Sequence, residues 1–258
     1  MEPATEAPVW FVSDVHLTPS RPERTERFLR FLEQRVAPSG ADLVVAGDLF
    51  DWWFGTPGQP PADVARVVRA LEALPRPVLW LEGNHDLFVH HALGPASPVA
   101  TSSEPVRIQR FGRSVHVEHG DLVDPSERGY RRFRALLRGV PGQLAARVVG
   151  RRVTRFVGSR AAAGSRDLQG GADGYDGESE EWLEAARRYA SARPEDLVIL
   201  GHGHWLGYWE GLACLGDWLR WSSYARLDRD GLSLWRFRPE GDALLADAPV
   251  GAVTAPAS

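Results

Sequence analysis

Three short runs in the first third of the chain, VWFV at residues 9–12, DLVVA at 42–46 and VLWL at 78–81, are apolar at almost every position. A strand with one wet face alternates apolar and polar side chains, so unbroken runs read as strands covered on both faces. Helical patterns over residues 23–36 and 62–74 separate them. The result is the β-α-β-α-β rhythm of a layered α/β fold. With 258 residues, 43% of them hydrophobic, the chain can build one large α/β domain or a domain with an insertion.

Each run ends in a polar cluster: SDVH at 13–16, GDLFD at 47–51 and GNHD at 83–86. Ligands of open α/β sheets sit beyond the carboxyl ends of the strands, so these clusters converge on one crevice. Further on, SVHVEHGD at 114–121 alternates like a strand and ends in His and Asp, and the strand LVIL at 197–200 runs into GHGHW. A lone Asn-His-Asp triplet is more often a cap or a core hydrogen-bonding partner. Five polar clusters at five strand ends are not explained that way.

Collected, the strand ends give Asp14, His16, Asp48, Asn84, His119, His202 and His204. Carboxylate, amide and imidazole donors without a thiolate suit Mn, Fe, Zn or a related divalent ion better than a structural zinc–thiolate site. Seven ligands exceed what one ion takes. If one carboxylate bridges, they suffice for two ions about 3.5–4 Å apart, the arrangement that clamps the attacking and leaving oxygens of a phosphoryl transfer.

The remaining sequence divides into residues 1–121 and 193–238 as the core, 122–192 as an insertion, and 239–258, rich in Ala and Pro, as a flexible tail. The insertion begins with an Arg-rich helical stretch, interrupted by GVPG, and continues through a Gly-rich loop at 164–177 to a helix near 178–192. Alternating segments over 207–237 suggest closing antiparallel strands. Lys+Arg total 30 and every one is Arg, which reflects compositional bias most simply. The formal net charge of −4 hides an asymmetry, because residues 128–166 hold eleven Arg and no acid. That block could favour an anionic partner. Without stacking aromatics spread along it, nucleic acid is a poor candidate, and no obligate protein partner is expected. Cys214 stands alone, which excludes a disulfide framework and points to a reducing compartment. With no basic leader and no apolar run of spanning length, the expectation is a cytoplasmic chain that does not cross a bilayer.

The pattern D-x-H, GD, GNHD, HGD, GHGH resembles that of the calcineurin-like metallophosphoesterases, from Asp14 to His204. The resemblance implies a four-layer α/β/β/α sandwich with a helical cap insertion. It also implies two divalent metal ions, Mn²⁺ by analogy. Asp14, His16 and His204 would hold one ion and Asn84, His119 and His202 the other, with Asp48 bridging. His85 would approach the substrate phosphate and protonate the leaving group, work that an imidazole with a pKa near ~6.5 suits. Asp86 would orient His85 or cap a helix. Gly47, Gly83, Gly120 and Gly201 are assigned to tight turns only.

Within that family, SDVHLTPSRPERTERFLRFL, GDLFDWWFG, HGDLVDPSERGYRRFRALLR and LGDW look like the branch that splits UDP-2,3-diacylglucosamine at its α-phosphorus in lipid A biosynthesis. This likeness implies a nucleotide-linked lipid substrate and peripheral contact with the cytoplasmic face of the inner membrane. Tyr130, Arg131, Arg134, Ser159, Arg160, Ser165 and Arg166 match substrate-contacting positions. Phe133, Leu136, Val148 and Phe156 interleave the Arg block as an acyl-binding amphipathic cap would, or as helices packed on a core with Arg in solvent. Trp52, Trp53 and Phe54 could line a pocket, but core packing is the better reading. His85 departs from the branch, whose best-known members carry Arg there; Arg can only clamp phosphate, whereas His can deliver a proton. Two other readings remain: a metallophosphodiesterase or nucleotide pyrophosphatase on a non-lipid substrate, and a catalytically silent scaffold. Against the second, all seven ligand positions are filled.

Overall fold

The computed structural model describes residues 6–51, 53–55, 60–125, 134 and 179–249. Parallel strands β1 (Val9–Val12), β2 (Asp42–Ala46), β4 (Val78–Leu81) and β6 (Val99–Ser102) lie side by side, and antiparallel β12 (Ser223–Asp228), β13 (Gly231–Arg236) and β14 (Ala243–Pro249) extend them into a seven-stranded sheet ordered β14-β13-β12-β1-β2-β4-β6. A five-stranded sheet follows the order β10 (Leu206–Trp209), β11 (Leu212–Leu215), β9 (Asp196–Leu200), β8 (Arg113–Glu118), β7 (Val106–Arg110). A short parallel pair, β3 (Trp53–Phe54) with β5 (Asp86–Leu87), adds a third ladder.

Why the runs are unbroken is now visible. Trp10 and Val12 of β1, and Leu43 and Val45 of β2, point into a core under α1 (Pro22–Phe31) and α2 (Ala62–Glu72), while Val9, Phe11, Val44 and Ala46 meet Val115, Val117, Leu197 and Ile199 of the second sheet. Alternate residues of one strand therefore serve two different cores. On the far side, α3 (Glu180–Ser191), capped by the Ser179 hydroxyl accepting from the Trp182 N–H at 3.2 Å, packs Trp182, Leu183, Ala186 and Ala190 on Val198, Leu200, Leu212 and Cys214. The layers are thus α/β/β/α, as the sequence implied. Cys214 is buried in that outer core.

Some details differ from the sequence reading. The strands β6 and β7 were not anticipated. In β7 the side chains alternate between half-buried and exposed, a weak apolar signal in VRIQR. The 207–237 segments divide between the two sheets: β10 pairs antiparallel with β11, which joins β9 in parallel, whereas β12 pairs antiparallel with β1 and β13 with β12. Gly216, at φ +70, turns the chain between them. Part of the supposed tail is ordered, since β14 pairs with β13 from Ala243 to Pro249, although its Ala- and Pro-rich composition carries little strand signal. The helix Glu180–Ser191 lies in the 122–192 range assigned to the insertion, yet its apolar face forms the outer layer of the sandwich. Among the described residues no helix is long and apolar enough to cross a membrane.

Candidate metal centre

Parallel pairing of β1 with β2 continues past the strand ends, where Asp14 N–H donates to the Gly47 carbonyl at 3.2 Å and His16 N–H to the Asp48 carbonyl at 3.0 Å. Likewise the Gly201 N–H donates to the His119 carbonyl at 2.9 Å, so the ends of β8 and β9 stay side by side. All seven ligand candidates are thereby carried to one end of the sandwich. Five of them hold a left-handed backbone: Asp14 (φ 51), His16 (49), Asp48 (53), His202 (63) and His204 (56). That conformation costs roughly 1–2 kcal/mol at a non-glycine residue and concentrates at functional sites. Here it turns the side chains back over the strand ends.

Two clusters result. In the first, Asp14 Oδ1 lies 3.7 Å from His16 Nε2 and 3.6 Å from His204 Nε2. In the second, Asn84 Oδ1 lies 2.8 Å from His119 Nε2 and 3.0 Å from His202 Nδ1, and Asp48 Oδ2 is 3.2 Å from His119 Nε2. Donor atoms of Asp14, Asp48 and His119 all fall within 4.8 Å of one another, which makes the clusters neighbours.

The two carboxylates are mounted alike. Asp14 Oδ2 takes the His202 N–H at 2.9 Å and contacts the Ser13 hydroxyl, leaving Oδ1 buried with no hydrogen bond. Asp48 Oδ1 takes the His85 N–H at 2.8 Å, leaving Oδ2 directed at His119. Outer partners fix the imidazoles as well. His119 Nδ1 meets the Ala46 carbonyl at 3.0 Å, which as donor presents Nε2 inward, and Asp217 Oδ2 stands 3.4 Å from His204 Nδ1. Both ring nitrogens of His16 are buried and without a hydrogen bond. Buried donors of this kind are costly unless something else satisfies them. An oxygen- and nitrogen-donor site with orphaned inward atoms fits a divalent cation.

Electrostatics agree. Burial opposes ionisation of Asp14, but His16, His204 and His119 outweigh it and hold the carboxyl at about 2. Asp48 lies well below the usual carboxylate range for similar reasons, burial being overcome by His119, His85 and His16. Burial lowers His119, yet Asp48 and Asp14 drive it up to about 10, while burial and the neighbouring His119 push His202 down to about 4. The anionic pair thus draws positive charge into the centre, and a divalent ion supplies it in place of a proton.

His85 joins this site. Its ring nitrogen Nδ1 contacts the Asp51 carbonyl and its ring meets His16 edge-on at 4.9 Å. Asp86 does neither of the things expected of it. It sits in β5, and its buried carboxylate accepts from the N–H groups of Asp48 (3.1 Å), Leu49 (2.8 Å) and Gly83 (2.9 Å), and from Trp80 Nε1 (3.3 Å). Asp86 therefore pins the turn that bears Asp48, and the main chain of Asp51 orients His85. Burial and the Asp48 charge raise Asp86 to about 7. Asp86→Ala would strand four buried N–H groups, three of the main chain and the Trp80 indole, at roughly 1–3 kcal/mol each. A loss of at least about 3 kcal/mol in urea unfolding is expected, and a loss below about 1 kcal/mol would contradict this anchoring role.

Glycine at position 83 is required for more than a turn, because a Cβ there would collide with Asp48 Oδ1 and the Asp48 backbone; at Gly201 it would strike Ser13 and Asp14. The residues that sequence reading missed are Ser13, Asp51 and Asp217. Asp51 lies in the GDLFD cluster and Asp217 in LGDW, both quoted without a role. Of the substrate-binding candidates, Arg134 is described, and its Nε pairs with Asp121 Oδ2 at 2.6 Å, two residues beyond His119. Tyr130, Arg131, Ser159, Arg160, Ser165 and Arg166 lie outside the described residues, as does Trp52. Trp53 is a core residue, stacked with Trp80 at 6.2 Å.

The calcineurin-like phosphoesterase family profile matches residues 7–225. The chain belongs to that family, and it is a metal-dependent phosphoester hydrolase. It is 31% identical over 239 residues to the UDP-2,3-diacylglucosamine hydrolase of Stenotrophomonas maltophilia, covering 87% of this chain and 96% of that one. The protein of the same name from Xanthomonas oryzae is 33% identical over 249 residues, covering 88% and 98%. In fold it is similar to Yfce, a phosphoesterase from E. coli, with a TM-score of 0.50 at 17% identity, covering 95% of this chain and all of the other.

Proposed function

We propose that the protein cleaves the pyrophosphate of UDP-2,3-diacylglucosamine, or of a close nucleotide-linked lipid, to UMP and 2,3-diacylglucosamine 1-phosphate. The observation that carries the chemistry is that donor atoms of Asp14, Asp48 and His119 lie within 4.8 Å of one another, which brings the cluster of Asp14, His16 and His204 against that of Asn84, His119 and His202 and supports Asp48 as the bridging ligand. The substrate rests on relatives of that name matched over nearly their full length. When bound, two divalent ions, Mn²⁺ by family resemblance, supply charge to the phosphate oxygens and an activated water.

The chain's own groups do the rest. Asp14 and Asp48, each anchored through one oxygen, keep the other fixed, so little reorganisation accompanies reaction. His85 delivers a proton to the departing phosphate. The step uses the imidazolium: with Nδ1–H donating to the Asp51 carbonyl, the second proton on Nε2 passes to the leaving phosphate oxygen and leaves a neutral imidazole. Arg134 steadies the His119 turn through Asp121. Tyr130, Arg131, Ser159, Arg160 and Arg166, within the 122–192 insertion, bind the diphosphate and sugar, and the apolar residues between them receive acyl chains at the cytoplasmic face of the inner membrane.

The test offers Mn²⁺-loaded protein UDP-2,3-diacylglucosamine in detergent micelles, beside UDP-N-acetylglucosamine and CDP-diacylglycerol, and follows UMP and CMP. Release of UMP from the diacylated sugar alone is the expected result. Cleavage of the unacylated sugar nucleotide or of the CDP-lipid instead would leave the metal centre standing and overturn the substrate.

A further inference from the structure

A groove of about 560 Å³, lined by none of the seven ligand candidates, lies between α1, the loop that leads into β12 and the chain leaving β13. Five arginines line it: Arg27 and Arg30 from α1, Arg220 from the loop, Arg236 at the end of β13, and Arg238. Two acids, Glu23 and Glu26, stand against them, and Glu26 is engaged by Arg66 at 3.0 Å. Positive charge is thus concentrated here although the chain as a whole carries a formal net charge of −4.

The fold holds several of these guanidiniums in place. Arg27 Nη1 donates to Ser222 Oγ at 3.2 Å and Arg236 Nε to the Trp221 carbonyl at 3.0 Å. Arg220 and Arg236 lie over the Trp221 ring at 5.1 and 4.7 Å from its centroid. Ser222 itself keeps a left-handed backbone at φ 50. Arg30 and Arg238 are exposed and, among the described residues, form no ion pair. An arginine has five N–H donors in a rigid fork, so the contacts that fix Arg27 and Arg236 leave donors to spare.

Five arginines against two acids leave an excess of positive charge that works against folding, whereas an oxyanion bound among them gains charge-assisted, bidentate hydrogen bonds. The volume exceeds a bare ion and falls in the range of small-ligand sites, roughly 300–1,000 Å³. Trp221 adds a flat apolar face beside the charge. We propose that this groove is a second anion site that takes the phosphoryl group of a ligand other than the one being cleaved, either a phosphate in solution or the headgroup of an anionic lipid. The inference rests on the groove alone and stands or falls separately from the substrate proposed above.

The decisive variant is Arg30→Gln/Arg238→Gln, which changes two exposed side chains outside the metal centre. Metal-loaded wild-type protein, this variant and a charge-matched control, Arg188→Gln/Arg229→Gln, would be titrated with inorganic phosphate in a calorimeter. Each would also be sedimented with phosphatidylcholine vesicles, with and without phosphatidylglycerol. Charge-assisted hydrogen bonds are worth enough that losing two arginines should weaken groove binding at least about tenfold. The control should stay within about twofold of wild type. Phosphate inhibition of hydrolysis, which reads the metal centre, should be the same in all three. Glu23→Gln, which removes an opposing charge from the rim, should strengthen binding.

A loss confined to phosphate identifies a soluble ligand, and a loss confined to phosphatidylglycerol vesicles identifies a lipid headgroup. The proposal is overturned if wild type binds neither probe outside the metal centre. It is equally overturned if the groove variant binds both as wild type does, or if the control loses as much.

Discussion

Asp48→Ala is expected to abolish metal loading and with it phosphoester hydrolysis, a fall of roughly four orders of magnitude or more, the scale seen when an essential member of a catalytic unit is removed. Asp48 is 2% exposed, its Oδ1 holds the His85 N–H at 2.8 Å, and its Oδ2 lies 3.2 Å from His119 Nε2. It is also the negative charge that most strongly pulls His119 upward. Alanine leaves the backbone turn in place, still pinned through its N–H to Asp86, while removing the oxygen proposed to bridge and half of the anionic pair. Circular dichroism of the variant should match wild type, so lost activity would report the ligand and not the fold. A fully metallated, active variant would contradict the assignment.

His85→Ala should behave differently. The imidazole touches the Asp51 carbonyl and the edge of His16, and its main-chain N–H, which alanine retains, is what supports Asp48. Metal content should therefore persist while turnover drops by roughly two to four orders of magnitude, the usual range for removing a general acid. Turnover at neutral pH within about twofold of wild type would exclude the proton-donor role. His85→Arg adds a sharper comparison: if it restores substrate affinity but not turnover, the position has traded a phosphate clamp for an acid.

These expectations draw on features that were legible in the sequence to different degrees. The seven ligand candidates could be found because each follows an apolar run directly, and parallel pairing carries strand ends to one edge without further information. The outer partners could not. Asp217 reaches His204 only because the β10–β11 hairpin folds back beside β9, and the role of Asp86 depends on β2 and β4 being neighbours. Three consecutive residues, Asn84, His85 and Asp86, thus sit in three settings that no local pattern separates: an inward donor, an imidazole beside the metal-ligand cluster that is proposed as the acid, and a backbone anchor. Gly83 read as a turn residue, but the close approach of Asp48 is what excludes a side chain there. The arginine groove was invisible for a similar reason, since its charges come from residues 27–30, 220 and 236–238, whereas attention falls naturally on the contiguous block at 128–166.

Metal content tests the proposed pair of ions sharing Asp48 most directly. Protein purified with Mn²⁺ and freed of loosely held ions should retain two per chain by mass spectrometry, and chelation should remove both together with activity. One ion per chain in fully active protein, or activity that survives complete removal of metal, would contradict it.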